Sequence, residues 1–418
     1  MITEEEMQSS PELDELGFEP GGRTRRNRRR RRRSRAVALL MVMVLAAGAA
    51  WAVATWLDRG RGGSGVLAGD KDGQTAILFM IRQADDPTRR SDMLVVFALD
   101  AAGTNPITLF MPTNALTEIP GHGLDLAGRG FQFGGMRLQS LVVDNVLGIV
   151  LDRDAAMTDA VLGKLVDAAG GLDITVEDTL IEPGGGVAFS PGLQKMNGEA
   201  VRGYLRYQGD GETELSRIAR AQHVWEAMFA AWGRLGVGAL AEKFREIGSE
   251  WNEGIETGLT PLDLAEFFSA FTAGSPADRI YTALPVEPVS AGGSEQALRI
   301  DEDQVGNLVS QYFAASIPKN PYLGTRIEVL NGNGIPQIGE EVALKLIPKG
   351  YRIVLNKNAR SFDFETTKIV VYSRDERSLG AARKIQELLG VGEIEIGTRA
   401  QTVVDVTIVV GHDFEPRD

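Results

Sequence analysis

The longest apolar run covers residues 36–57 (AVALLMVMVLAAGAAWAVATWL) and holds no charged side chain. At about 1.5 Å per residue it is long enough to cross a hydrocarbon core of ~30 Å, and it exceeds the core of a signal peptide. Beyond it the apolar positions come in shorter runs. Residues 75–81 (TAILFMI), 93–99 (MLVVFAL) and 107–111 (ITLFM) read as buried strands. Residues 136–147 and 154–169 read as helices, the second closed by Gly170-Gly171, and 172–176 as a strand. Residues 197–207 form a short helix or strand. Thr213 is an N-cap for a helix with Ile218, Ala221, Trp225 and Met228 on one side, and an amphipathic helical pattern continues over 225–247. Thr260-Pro261 starts a helix through 271, residues 288–295 form a loop, and 302–313 form a closing helix. Alternating strands and helices predict an α/β sandwich over 74–315.

A linker (316–323) leads to a second, smaller α/β domain over 324–414. Residues 325–330 (TRIEVL) read as a strand ending in Asn331-Gly332-Asn333-Gly334. A helix (338–346), strands at 351–355 and 367–372, a helix (378–389) and a last strand (402–410) follow. The Gly-rich turn lacks a Lys for phosphate and reads as structural. No catalytic cluster stands out, so this domain reads as an interaction module.

Composition adds a topology. The chain has 418 residues, 43% of them hydrophobic, enough for two folded domains. Its net charge is −13, yet ten arginines crowd between Arg23 and Arg35. Residues 1–35 therefore read as a disordered, Arg-rich tail on the cytoplasmic side of a single span (36–57), near anionic lipid. Everything after Leu57, beginning with a linker (58–73), is then extracytoplasmic, in a cell-membrane protein. The acidic remainder argues against nucleic acid as a partner. There are no cysteines and only three histidines, which excludes thiolate metal sites and argues against a histidine cluster.

Candidate chemistry concentrates in residues 197–222 (NGEAVRGYLRYQGDGETELSRIARAQ). Arg217 and Arg220 lie three apart near a helix start, where free N–H groups and the helix dipole favour an anion. Guanidinium forks match phosphate oxygens. The alternative is that Arg217 pairs with Glu214 or Glu212 on a solvated face.

This stretch resembles the LytR-CpsA-Psr (LCP) family. That family has a Gly-x-x-Ala-Leu-x-Tyr-x-Arg-x-Arg run followed by Asp-x-x-Arg-x-x-Arg-Gln. Further motifs follow the family's order over 75–313: Ser91-Asp92, a strand ending at Pro112, Gly134-Gly135 before a helix, Val166 to Gly171, and Gly192 to Ala200. The Val-Leu-Asn-Gly-x-Gly and Val-Val-Gly-x-Asp signatures of 324–414 resemble a LytR C-terminal domain. The resemblance implies a transferase moving a glycopolymer from a polyprenyl-pyrophosphate carrier onto peptidoglycan. It implies catalytic roles for Arg206, Arg217 and Asp92, pyrophosphate binding by Arg206, Arg217 and Arg220, and Mg²⁺ held at Asp92. The chain departs from the family at Thr113 and Asn114 (for Arg-Asp), at Gln208 (for the second Arg of Arg-x-Arg), at Glu214 (for Asp) and at Ala221 (for Gln). Two cations and one acid are thereby lost, where neutralisation by arginines carries much of phosphoryl-type catalysis. A transferase and a non-catalytic cell-wall scaffold or regulator are therefore both expected readings. A transcriptional attenuator is disfavoured by the acidic folded portion.

Overall fold

The computed structural model describes residues 73–100, 102–209, 211–247, 254–289, 297–398 and 401–416. The predicted tail (1–35), the predicted span (36–57), most of the linker 58–73 and most of the loop 288–295 lie outside the described residues. Among the described residues no helix is long and apolar enough to cross a membrane.

The apolar runs assemble as a sheet buried on both faces. β1 (Gln74–Arg82), β2 (Met93–Asp100) and β3 (Ile107–Met111) form its centre, with β1 antiparallel to β2 and β2 to β3. A further strand, Arg153–Thr158, runs parallel to β1, and Ile280–Ala283 runs parallel to β3 at the far edge. Along β1, Ala76, Leu78 and Met80 face one core while Ile77, Phe79 and Ile81 face the other. Burial on both sides explains why these strands read as continuous apolar runs instead of alternating ones. The first face packs on α1 (Gly130–Leu147), broken by non-helical backbone at Gly134-Gly135, where Gly135 takes φ 66°. The second face packs on α2 (Asp159–Ala168), α3 (Gly198–Arg206), α4 (Glu214–Trp232) and α5 (Pro261–Thr272). The result is a mixed α/β sandwich.

The predicted caps form. Asn197 accepts from the Ala200 amide and makes 198–206 a helix, settling the helix-or-strand alternative. Thr213 and Thr260 each make a capping box, and Pro261 takes the first helical position. One element differs. Residues 154–158 are strand, not the start of a helix, and the helix begins at Asp159. Two alanines and a methionine carry no β-branched signal. Pairing with β1 on one side and Ile255–Thr257 on the other overrides their helical propensity. The Thr158 side chain then caps α2 by accepting from the Val161 amide. The helical pattern over 225–247 also divides, with α4 ending at Trp232 and a new helix spanning Val237–Glu246.

The second α/β layer is a five-stranded sheet in the order Arg352–Asn358, Arg326–Asn331, Val406–Val410, Lys368–Val371, Glu393–Ile396. Its apolar residues belong to the same buried cluster as those of β1 and α1, so it is bonded into the sandwich core. On its edge strand the Ile353 amide donates to Asn145 Oδ1 at 2.9 Å, and its carbonyl accepts from Asn145 Nδ2 at 2.8 Å. The α1 side chain thus acts as a missing neighbour strand. Beside it, Glu118 is buried, and burial pushes its carboxyl up to about 7, against a backbone hydrogen bond from Asn356 and the nearby Lys357 charge.

Two outcomes follow for this interface. Asn145→Ala strands two buried backbone groups and costs about 2 kcal/mol or more, read by chemical denaturation; an unchanged midpoint contradicts the pairing. Because the folded Glu118 carboxyl titrates above its unfolded value of 4.5, its contribution is full below about pH 4.5 and is lost as pH rises through about 7. Glu118→Gln therefore flattens stability between those limits, and an unaltered pH profile contradicts this.

Candidate functional site

β1, β3 and Arg153–Thr158 all point the same way, and their carboxyl ends meet at the loop 83–92 that joins β1 to β2. This is where α/β sheets ordinarily hold ligands. Four segments converge there: that loop, Thr113 just after β3, the start of α2, and the α3–α4 corner.

On one side of the loop stands Arg217, in the first turn of α4. Its Nη2 donates to the Asp92 carbonyl at 2.5 Å and lies 3.2 Å from Asp92 Oδ1, while Nη1 lies 3.2 Å from Glu214 Oε2. Glu214 Oε1 in turn accepts from the Thr113 amide and hydroxyl, both at 3.0 Å. Thr113, at a position where the resembled family has an arginine, is thus buried and held by Glu214. Gln83 Nε2 donates to Asp92 Oδ1 at 3.2 Å.

On the other side stands Arg206, the last residue of α3. Its Nη2 lies 2.6 Å from Asp159 Oδ2 and 2.8 Å from Asp85 Oδ1. Burial works against its charge, but the Asp85 hydrogen bond and the fields of Asp159, Asp85 and Asp92 outweigh that and hold it above the usual guanidinium value. The Arg206 hydrogen bond likewise holds the Asp85 carboxyl below its ordinary range. Asp159 is buried in the first turn of α2, and also accepts from the Ala84 amide at 2.9 Å and Arg202 Nε at 3.0 Å.

Arg220 is placed differently. It is 6% exposed; its Nε and Nη2 donate to the Tyr204 and Tyr207 carbonyls, and its Nη1 to Glu212. Its guanidinium lies over the Tyr207 ring at 5.2 Å and closes the α3–α4 corner. The structure therefore brings Asp92, Arg217 and Arg206 to one loop and directs Arg220 into the fold. Gln208 is exposed beyond α3, the Asn114 carbonyl accepts from the Leu298 amide, and Ala221 is buried. Sequence reasoning missed Asp85, Asp159 and Arg202. Arg202 and Arg206 are four apart on one helix face, which was a usable signal. Asp159 was hidden by reading 154–158 as helix.

Between α4 and the strands, Met93, Phe110, Leu205, Ile218 and Ala221 line a crevice of about 10 Å³, with Arg217 and Asp92 also in its lining. Beneath it, Phe79, Phe97, Trp225, Phe229, Phe268 and Phe271 pack mostly edge to face. Aromatic rings fill this layer, and the crevice as it stands is too small for a prenyl chain. For a divalent cation the fit is poor. Asp92 Oδ1 meets nitrogen donors from Gln83 and Arg217, and the described residues hold no group of three or more acidic or imidazole ligands.

The sequence model of the LytR_cpsA_psr family matches residues 57–311, and that of the LytR cell envelope-related transcriptional attenuator matches 324–414. The chain belongs to the LytR-CpsA-Psr family. Among curated relatives, it is 27% identical over 156 residues to the probable cell wall biosynthesis protein LcpB of Corynebacterium glutamicum, covering 37% of this chain and 37% of LcpB. It is 24% identical over 160 residues to the regulatory protein MsrR of Staphylococcus aureus, covering 38% of this chain and 49% of MsrR. These matches span less than half of either relative's length. The structure of TagT bound to LIIa-WTA (TagT of B. subtilis) superposes with a TM-score of 0.50 at 19% identity, over 61% of this chain and 97% of TagT. At that identity the likeness shows the fold: an LCP α/β sandwich, here carrying a C-terminal domain.

Removing Arg220 leaves Glu212 and two carbonyls without their buried partner. Arg220→Ala should cost about 3–5 kcal/mol in chemical denaturation. Wild-type stability in that variant would place the α3–α4 corner's support elsewhere.

Proposed function

We propose that this LytR-CpsA-Psr protein binds a polyprenyl-pyrophosphate-linked glycopolymer outside the cell membrane and acts in its attachment to peptidoglycan. The observation that carries the reading is the placement of Arg206 and Arg217 on either side of one loop, with Asp92, at the carboxyl ends of parallel strands. The similarity to TagT, seen bound to LIIa-WTA, and to the probable cell wall biosynthesis protein LcpB supports the ligand class. The Arg run and the uncharged residues 36–57 support a single span with the N-terminus cytoplasmic and both domains outside.

In this reading a hydroxyl of peptidoglycan attacks the sugar-linked phosphorus of the carrier. A new P–O bond forms to the acceptor oxygen, the hydroxyl proton passes to solvent, the bond to the bridging oxygen breaks, and polyprenyl phosphate leaves with its electron pair. Negative charge grows on that leaving group, and fixed guanidinium donors there lower the barrier. Arg206 and Arg217 supply these donors. Asp92 positions Arg217 through both its carbonyl and its carboxylate. Nitrogen donors occupy Asp92 Oδ1, which leaves the neutralisation to the two guanidinium groups.

A second reading is a non-catalytic scaffold or regulator that binds the carrier without turnover. Two observations favour it: Glu214 is engaged with Thr113, and Arg206 already faces two carboxylates. Both readings share the binding step.

The full chain in lipid nanodiscs, incubated with a polyprenyl-pyrophosphate glycan and peptidoglycan, with and without Mg²⁺, separates them. A transferase releases polyprenyl phosphate and loses at least ~10³-fold in rate on Arg206→Ala or Arg217→Ala. Retention of the lipid glycan without release favours the scaffold. Neither retention nor release removes both readings.

A further inference from the structure

The two carboxylates on Arg206 are not equivalent. The Asp159 side chain is 5% exposed and is fixed by three donors: the Ala84 amide, Arg202 Nε and Arg206 Nη2. The Asp85 side chain is 71% exposed, and its carboxylate reaches the same guanidinium from the solvent side, at 2.8 Å from Nη2 and 3.3 Å from Nη1. Asp159 and Asp85 thus take the inner and outer faces of one fork. Two oxygens of a carboxylate on the two Nη atoms of an arginine make the same pattern as two oxygens of a phosphate.

The backbone on which Asp85 rides is anchored. The Ala84 amide donates to the buried Asp159 at 2.9 Å and the Asp86 amide to the Gln83 carbonyl at 3.3 Å, while the Gln83 and Arg89 side chains reach Asp92 at 3.2 Å and Glu256 at 2.7 Å. Asp85 can therefore leave Arg206 by rotating its own side chain, without the loop unfolding. An exposed ion pair of this kind contributes little, whereas a phosphate offers more charge and more acceptor oxygens to the same fork.

Local charge points the same way. Arg202, Arg206, Arg217 and Arg220 stand with Asp85, Asp92, Asp159, Glu212 and Glu214, and the loop adds Arg89 and Arg90 against Asp86, so carboxylates equal guanidinium groups in number. An incoming pyrophosphate meets no excess of positive charge unless one carboxylate withdraws. Asp85 is the one whose withdrawal exposes a guanidinium edge to solvent and leaves no buried group without its partner.

We propose that Asp85 is a built-in anion occupying the ligand's position on Arg206, and that a pyrophosphate headgroup binds by displacing it. Asp85 then sets which anions the site accepts. A monoanion that offers no more than a carboxylate does not displace it, and a polyphosphate does. This deepens the proposed function and rests on that reading of Arg206.

The test is titration calorimetry of the full chain with farnesyl pyrophosphate, and with acetate as the monoanion. Asp85→Asn should tighten farnesyl pyrophosphate roughly twofold to fivefold, the span of an exposed ion pair. Asp86→Asn, which removes a neighbouring acid bonded to Thr88 instead of Arg206, should change it far less. In an Arg206→Ala background the effect of Asp85→Asn should vanish. If wild type binds and Arg206→Ala weakens binding, but Asp85→Asn equals wild type or Asp86→Asn, the displacement idea fails while the site stands. If wild type and Asp85→Asn both fail to bind, the site reading fails with it. Binding by Asp85→Asn alone supports both.

Discussion

Arg217 is the joint on which the candidate site depends. One guanidinium ties the start of β2, through Asp92, to the first turn of α4, through Glu214, and Glu214 carries the link on to Thr113 behind β3. The side chains of Arg217, Asp92 and Glu214 are only 19%, 20% and 9% exposed, so these charges sit where water screens them weakly. Such partly buried charges persist because each has a hydrogen-bonded counterpart. A second arginine, Arg206, repeats the arrangement across the loop with Asp159. The aromatic layer under α4 packs that helix against the sheet, and so sets where the Arg217 guanidinium points.

The same economy of burial shapes the whole fold. A sheet covered on both faces needs two layers, and the C-terminal domain belongs to one of those layers. Its core is continuous with that of β1 and α1, and its edge strand is completed by Asn145. Read from sequence, this domain looked like an interaction module joined by a linker. Its first role in the structure is to cover α1. Helices α3 and α4 lie on the opposite face of the sheet, away from that cover.

Most of the sandwich was legible because its determinants are local or periodic: apolar runs for strands, Asn197, Thr213 and Thr260 for helix starts, and Gly134-Gly135 for the break within α1. Strand 153–158 was not, because its identity comes from pairing partners far along the chain. The site was legible in part. Arg217 and Asp92 could be matched by motif, and they do meet. Arg220 shares a helix face with Arg217 by spacing, yet the carbonyls of Tyr204 and Tyr207 draw its guanidinium inward. Which arginine faces solvent depends on where a neighbouring helix ends, and spacing along one helix does not encode that. Asp85 and Asp159 were invisible for a similar reason, being brought to Arg206 by the sheet and not by sequence proximity.

The central claim is that Arg206 and Arg217 form one anion site around the loop 83–92. A crystal structure of the full chain, or of the chain from residue 64 onward, with farnesyl pyrophosphate bound tests it most directly. The expected result is phosphate oxygens on both guanidinium groups, with Asp85 turned away and Arg220 still in its corner. Phosphates resting on a different surface, with the Arg206–Asp85 and Arg217–Asp92 pairs undisturbed, would contradict it.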